Sequence, residues 1–382
     1  MLKKIAARLH LWLGLTAGLV VLISLLAAAV FVWEEELTEW YHHEKLFVKE
    51  VKAARLPFHQ LLQNARGASI DSSITFVRME NDPHRTIAFG NYKAATKKGW
   101  TYASSADDYS LIYVNPYTGE VQGKRDLRHD WIFGTRMLHQ CLLLNYDVGH
   151  YIVGFATLII LIMVVTGIVL WWPKNKAAFK QRIWFRWKPS TKWRRKNYDV
   201  HNIGGIYSFL LITLFSLTGL VWTFDWWEDT VYRMLGNNPK EVFRRAPPPA
   251  VAVAEDATGA FDVALDDINK RLPHWLSINL SVPVAPYKAP INAFVRYVSG
   301  KSGWDESDNY NYHPVTGEMY FATTHDEKTL GAKWRNSNYA IHVGSIYGWP
   351  TKVLATFIAL FCASLPVTGF YIWRGRRKKG RG

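Results

Sequence analysis

The sequence predicts a membrane α-helical protein, a four-transmembrane-helix bundle built from a duplicated span–domain–span unit that carries two outer α+β domains. Three observations predict it. Stretches 11–33, 151–172, 203–224 and 351–373 are apolar and long enough to cross a bilayer, since about 20 helical residues rise through ~30 Å of hydrocarbon. Basic residues collect in the short segments between and beyond these stretches. Short histidine-glycine and threonine-glycine motifs recur at matching places in the two halves of the chain.

Charge gives the expected orientation. Segments 1–10, 173–201 and 374–382 hold nineteen Lys and Arg against one acid, Asp199, while the long loops 34–148 and 226–350 are near neutral. By the positive-inside tendency, the basic segments and both termini are cytoplasmic and both long loops lie outside. The expected organisation is a first span (1–33), an outer domain (34–148), a second span (149–172), a basic loop (173–200), a third span (201–225), an outer domain (226–350), a fourth span (351–373) and a tail (374–382). The net charge of +15 is therefore a topology signal. It needs no nucleic-acid partner, and lipid is the partner it implies.

Taken in order, the first span follows Lys3, Lys4 and Arg8 and reaches Ala27–Ala29, which invites a reading as an export signal. Its apolar run of about twenty residues is long for a cleaved signal, so it is expected to remain as an anchor. Aligning "LHLWLGL" with "VHNIGGI" pairs His10 with His201 and Gly14 with Gly205. The same register sets Ala27 and Ala28 against Thr218 and Gly219. In the other two spans "LHQCLLL" leads from His139 to Thr166-Gly167, and "IHVGSIY" leads from His342 to Thr368-Gly369.

Each outer loop reads as one helix followed by an antiparallel sheet. The helical candidates are "FHQLLQNA" in the first and the spacing Phe261, Leu265, Ile268, Leu272 in the second. Alternating segments such as "SITFVRM", "RTIAFGNY" and "INAFVRYV" read as strands, and "NPYTGEV" and "HPVTGEM" as matching hairpin turns. The stretch "APPPAVAVAEDATG" reads as an extended linker. Cys141 and Cys362 are expected at different depths and unpaired. No Walker loop, Rossmann fingerprint, Ser/His/Asp order or HExxH occurs, so the tools of ATP-driven transport, nicotinamide binding and proteolysis are missing.

Four histidines in two symmetric pairs at membrane boundaries ask for a role, because ionisable groups there are costly. In an antiparallel bundle His10 and His201 share one level and His139 and His342 another. Facing neutral imidazoles at one depth can take the two axial positions of a haem iron, and Gly14 and Gly205 leave room for a flat macrocycle. The plainer reading is that interfacial histidines snorkel and that Thr-Gly pairs only pack helices. His150 is a spare candidate without a partner in the repeat. His42, His43, His59, His84, His129, His274, His313 and His325 read as surface or hairpin residues. Tryptophans at span ends suit an aromatic belt; Trp100, Trp131, Trp275, Trp304, Trp334 and Trp349, with Tyr109, Tyr310, Tyr312 and Tyr339, belong to domain cores or to the lining of a bulky ligand's pocket.

The duplicated layout, the "LH" or "VH" followed by glycine, the "TG" pairs and the outer P-x-T-G-E hairpins resemble the PepSY-associated transmembrane-helix family over nearly the whole chain. Within it the sequence is similar to iron-regulated bacterial inner-membrane reductases of siderophores, the ferrioxamine reductase among them. The resemblance implies two b-type haems, electron transfer from a cytoplasmic or membrane donor, and reduction of Fe(III) to Fe(II) in a siderophore, hydroxamate types favoured, docked between PepSY-like domains in the periplasm. Two other readings stand beside it: a PepSY module that binds or restrains a peptidase, and a siderophore permease, since internal repeats are common in transporters.

Overall fold

The computed structural model describes residues 1–71, 73–236, 259–283, 289–298 and 305–379. The chain forms two compact units, one from Met1–Glu34, Gly134–Glu228 and Tyr339–Gly382, the other from Glu35–Phe133 and Asp229–Asn338.

Four helices in the first unit are long and apolar enough to cross a membrane: Leu2–Phe31, Tyr146–Trp171, Trp193–Trp222 and Trp349–Arg376. The first packs against the second and the fourth, and the third closes the ring by packing against the same two. Small residues permit the approach, as expected where helix packing in lipid rests on van der Waals contact. A Cβ on Gly18 would lie 3.3 Å from Pro366 Cβ, and one on Gly154 only 2.3 Å from Thr223 Cγ2. The first and third helices begin well before the apolar runs, so His10 and His201 lie inside continuous helices. His139 and His342 instead lie in the last turns of short helices, Trp131–Cys141 and Leu330–His342. After His139 the chain turns through Leu142 and Leu143, both at positive φ (56° and 60°), and after His342 through Gly344 at 74°. Cys141 and Cys362 are buried free thiols.

The second unit is an eight-stranded antiparallel sheet: β1 Phe76–Glu80, β2 Ile87–Ala94, β3 Ala106–Val114, β4 Val121–Asp126, β5 Trp275–Ser281, β6 Ile291–Tyr297, β7 Glu306–Tyr312 and β8 Met319–Thr323. Their spatial order is β4-β3-β2-β1-β5-β6-β7-β8. Each outer segment contributes four strands and, ahead of them, one helix that joins the sheet's core, in the expected order, but the two halves share one sheet. β1 pairs with β5 from Phe76↔Ser281 to Glu80↔Ser277, so no gap between domains remains along that seam to receive a ligand.

The helices Phe58–Ala68 and Gly259–Arg271 bury Leu61, Leu62, Ala264 and Ile268 in a single core with strand residues from both halves, among them Phe89, Ile112, Ile278 and Tyr312. Asp262 ties the two helices, taking the Phe58 amide at 2.6 Å and His59 Nδ1 at 2.9 Å. The P-x-T-G-E segments form equivalent hairpin turns, with Gly119 at φ 75° and Gly317 at 74°. In each, the glycine N–H bonds back to the carbonyl of Asn115 or His313 at 2.9 Å, a conformation that glycine adopts without Cβ strain.

Three histidines expected at the surface or in hairpins are buried: His42, His313 and His325. His42 is drawn in by Asp130, 2.8 Å from its Nε2. His313 does occupy a hairpin, where its Nδ1 accepts the Val315 and Thr316 amides at 3.2 and 3.1 Å. The backbone N–H of His325 is held by Asp308 at 2.7 Å. Trp275, Tyr310 and Tyr312 are core residues, and Trp100 is exposed. Trp304 and, apart from Gly259, the expected linker lie outside the described residues.

Candidate functional site

The ring centroids of His10 and His201 are 6.1 Å apart, with planes at 88°. Those of His139 and His342 are 6.0 Å apart, with planes at 37°. Two imidazoles that grip one metal from opposite sides, each through a nitrogen about 2 Å away, have ring centres ~6 Å apart. His139 bonds to Ser24, fourteen residues beyond His10 on the first span, so the two levels are separated by about 20 Å of helix.

Each histidine is braced at Nδ1 by a hydroxyl from a neighbouring helix. His10 Nδ1 is 3.0 Å from Thr166 Oγ1, His201 Nδ1 is 2.9 Å from Thr368 Oγ1, and His342 Nδ1 is 3.0 Å from Thr218 Oγ1. Each threonine gives its single proton to its own helix: Thr166 to the Ile162 carbonyl (2.9 Å), Thr368 to Leu365 (3.0 Å) and Thr218 to Leu214 (2.8 Å). Toward the imidazole the hydroxyl can only accept, so Nδ1 carries the proton and Nε2 keeps its lone pair.

The fourth site reaches the same tautomer by another route. His139 Nδ1 lies 3.0 Å from both the hydroxyl and the carbonyl of Ser24, while the Ser24 hydroxyl donates to the His139 carbonyl at 3.0 Å. A carbonyl only accepts, so here too Nδ1 is the donor. Ser24 thus takes the place that the repeat register gave to Ala27 and Ala28, one helical turn nearer the N-terminus. The signal available was a hydroxyl amid an apolar run, "LISLLAAA".

The glycines after the threonines serve the rings. A Cβ on Gly219 would lie 3.0 Å from His342 Cε1, one on Gly369 3.2 Å from His201 Cε1, and one on Gly167 3.4 Å from His10 Cε1. Glycine here lets the imidazole edge lie against the helix backbone. Of the two glycines expected to leave room for a macrocycle, Gly205 opens on empty space, whereas a Cβ on Gly14 would meet Met163 Cε at 3.1 Å.

Other features had no sequence signal. His201 lies in a π-helical turn, Val200–Gly204, a distortion often found at functional positions. Beside the second pair, Phe31 stacks on His139 (6.1 Å, 22°) and Trp222 meets His342 edge-on (5.2 Å, 67°). One turn before His139, the Arg136 guanidinium lies 5.3 Å from the Phe31 ring centre and 5.9 Å from that of Tyr339, and reaches Glu34 at 3.8 Å.

His150 is not drawn to either pair. Its Nδ1 bonds to the Tyr146 carbonyl, and its ring lies against Tyr146 and Tyr151. Among the described residues no three His, Cys, Asp or Glu side chains gather as a metal site. A metal held by protein alone ordinarily takes three or more such ligands, whereas a porphyrin iron needs two axial ones; the donor set of two locked imidazoles per level fits the second case.

The family model described as the PepSY-associated TM region matches residues 7–376. No curated protein matches the chain.

Proposed function

Since the chain belongs to the PepSY-associated TM region family, we propose that it is a haem-dependent ferric-siderophore reductase of the bacterial inner membrane, with His10 and His201 holding one b-type haem and His139 and His342 a second. Bound there, haem supplies one-electron chemistry at iron, which none of the side chains can supply. The chain's own residues do the rest. Thr166, Thr368, Thr218 and Ser24 hold every ring in the Nδ1–H form and leave Nε2 its lone pair. Phe31 and Trp222 cover the imidazoles of one pair with apolar surface, and a drier site strengthens the field of nearby charges such as Arg136.

The basic segments set the direction: donor on the cytoplasmic side, where the His10–His201 level lies, acceptor on the far side, with the sheet unit in the periplasm. There Fe(III) in the siderophore takes one electron and becomes Fe(II). Hard oxygen donors hold the smaller trivalent ion more firmly, so the chelate loosens and iron is released.

The observation that carries this reading is the two imidazole pairs at 6.1 and 6.0 Å, all four rings locked with Nε2 available. The test has two arms. Purified protein should show a reduced b-type spectrum, and each of His10→Ala and His201→Ala should remove the same component of it. In oxygen-free proteoliposomes with reductant inside and ferric hydroxamate or catecholate outside, a ferrous chelator should trap Fe(II), and His342→Ala should abolish it while the His10–His201 component stays reducible by dithionite. Colourless protein would sink the haem assignment and leave the binding-module and permease readings; full haem content without Fe(II) would point to another electron acceptor.

A further inference from the structure

The sheet-bearing unit contains an open cleft of about 810 Å³ whose lining is drawn from the segment after the first span, strand β4 and the start of the helix Trp131–Cys141. Its volume suits a drug-sized ligand, for which pockets of ~300–1,000 Å³ are usual. The inner wall is a fixed polar array. Arg125 grips Asp130 through two nitrogens, both at 2.8 Å, His42 Nε2–H donates to the same carboxylate at 2.8 Å, and the Phe133 amide adds a fourth bond at 2.9 Å. With its carboxylate fully used, Asp130 acts as wall, not as a ligand.

What faces the opening is different in kind. Trp40, Tyr41 and Trp131 are 73, 55 and 46% exposed, yet they touch as a group: Tyr41 meets Trp131 edge-on at 5.7 Å and Trp40 at 6.3 Å. Three clustered, exposed aromatic rings are a surface for stacking flat conjugated groups. Two ammonium groups also line the cleft. Lys45 lies 3.5 Å from His42 Nδ1, and Lys124 forms no ion pair among the described residues. Of the carboxylates lining the cleft, Asp126 is taken by Arg128 at 2.7 Å and Asp130 by Arg125; only Glu44 opposes the two lysines. Gln122, on the lining, has a buried Oε1 with no donor among the described residues, and a buried acceptor asks for an N–H or O–H.

We propose that this cleft docks an anionic chelate built from amide-linked catecholate rings. Its aryl faces lie on Trp40, Tyr41 and Trp131, its negative charge meets Lys45 and Lys124, and an amide N–H of the ligand satisfies Gln122. A hydroxamate chelate, aliphatic and without net negative charge, offers the rings and lysines nothing to hold. The inference deepens the reductase reading and rests on it only for the metal being iron.

Binding can be read apart from electron transfer with Ga(III), which shares the charge and near size of Fe(III) and is not reduced under these conditions. Full-length protein in detergent is titrated calorimetrically with a Ga(III) tris-catecholamide and with a Ga(III) tris-hydroxamate. The catecholamide should bind one to one, and the hydroxamate at least about tenfold more weakly. Lys124→Glu and Trp40→Ala, both at exposed positions, should each weaken catecholamide binding by about tenfold, and Trp100→Ala, which does not line the cleft, should leave it unchanged. Equal affinity for the two chelates, no effect of Lys124→Glu and Trp40→Ala, or no catecholamide binding would each overturn the proposal. Binding as expected with no Fe(II) ever formed from the iron chelate would instead remove the reductase reading and keep the docking site.

Discussion

Thr166 Oγ1 stands 3.0 Å from His10 Nδ1 and passes its own proton to the Ile162 carbonyl at 2.9 Å. The relationship works through proton counting: a hydroxyl has one proton, the helix carbonyl claims it, and the imidazole must therefore supply the other. Thr368 and Thr218 repeat the arrangement on His201 and His342. Four rings, with His139 held at Nδ1 by Ser24, are thereby fixed in one tautomer, and on the proposed reading the orientational cost of holding a metal is met during folding.

Thr166→Val and Thr368→Val nearly conserve volume and remove the acceptor. Loss of such an outer-sphere partner typically lowers metal affinity about 10–100-fold. Each valine variant should therefore lose haem from the His10–His201 level faster when mixed with an excess of apo-haem acceptor, and serine at either position should restore retention. Equal retention by valine would show that the hydroxyls pack the helices without holding the rings.

The glycines offer a graded series. Gly219→Ala puts a Cβ 3.0 Å from His342, Gly369→Ala 3.2 Å from His201 and Gly167→Ala 3.4 Å from His10. The last is ordinary contact; the first forces the ring aside, and overpacking of that sort costs about 1–3 kcal/mol. Thermal unfolding and haem content should both fall in the order Gly219→Ala, Gly369→Ala, Gly167→Ala, with the last near the parent protein. A uniform effect would mean that helix contacts elsewhere dominate.

The parts legible in the sequence are those written locally. Apolar length gave the four spans, and a two-residue alternation gave strands such as Ile291–Tyr297, because both depend on neighbours a few positions away. Which histidines meet was also legible, since His10 and His201 enter their spans from the same charged side. Ser24 was hidden by the assumption that both halves keep one register: a single turn of slip moves the brace from Ala27 to Ser24. The shared sheet was hidden because β1 and β5 are some two hundred residues apart and pair through backbone groups, which every residue type carries. His42 looked like a surface residue because its partner, Asp130, lies 88 positions away.

Lys328 gives the sheet unit a pH signature. It is buried, with its Nζ bonded to the Ser307 carbonyl and, at 3.1 Å, to the Ser307 hydroxyl. Burial pushes the ammonium down to about 8, against the opposing pull of Asp308 and Asp305. Between pH 8 and the ordinary value of 10.5 the unfolded chain binds a proton that the folded chain does not, so stability rises with pH there, and the penalty for charging Lys328 is fully present below 8. Above pH 10 the phenols of Tyr297, Tyr310 and Tyr312, held upward by burial, work in the other direction. Chemical unfolding followed from pH 7 to 10 should show the rise, and Lys328→Met should flatten it. A rise of the same slope in the methionine variant would assign it to another group.

Orientation is the last expectation and, on the proposed reading, decides which side would donate electrons. Nineteen basic residues against one acid in segments 1–10, 173–201 and 374–382 are expected to lie inside, because Lys and Arg near span ends resist translocation. Cys141 and Cys362 are buried, so a background in which both are replaced by Ala is expected to fold and to carry no reactive thiol. Into it, Lys188→Cys and Thr118→Cys introduce single thiols at exposed positions. In intact cells a membrane-impermeant maleimide should label the variant at 118 and spare the one at 188. After permeabilisation both should label, which shows that the thiol at 188 was shielded by the membrane and not by the fold. The reverse pattern would put the His10–His201 level on the outer side. It would also turn the sheet unit and its cleft toward the cytoplasm, where a siderophore arriving from outside could be reduced only after it had crossed the membrane intact.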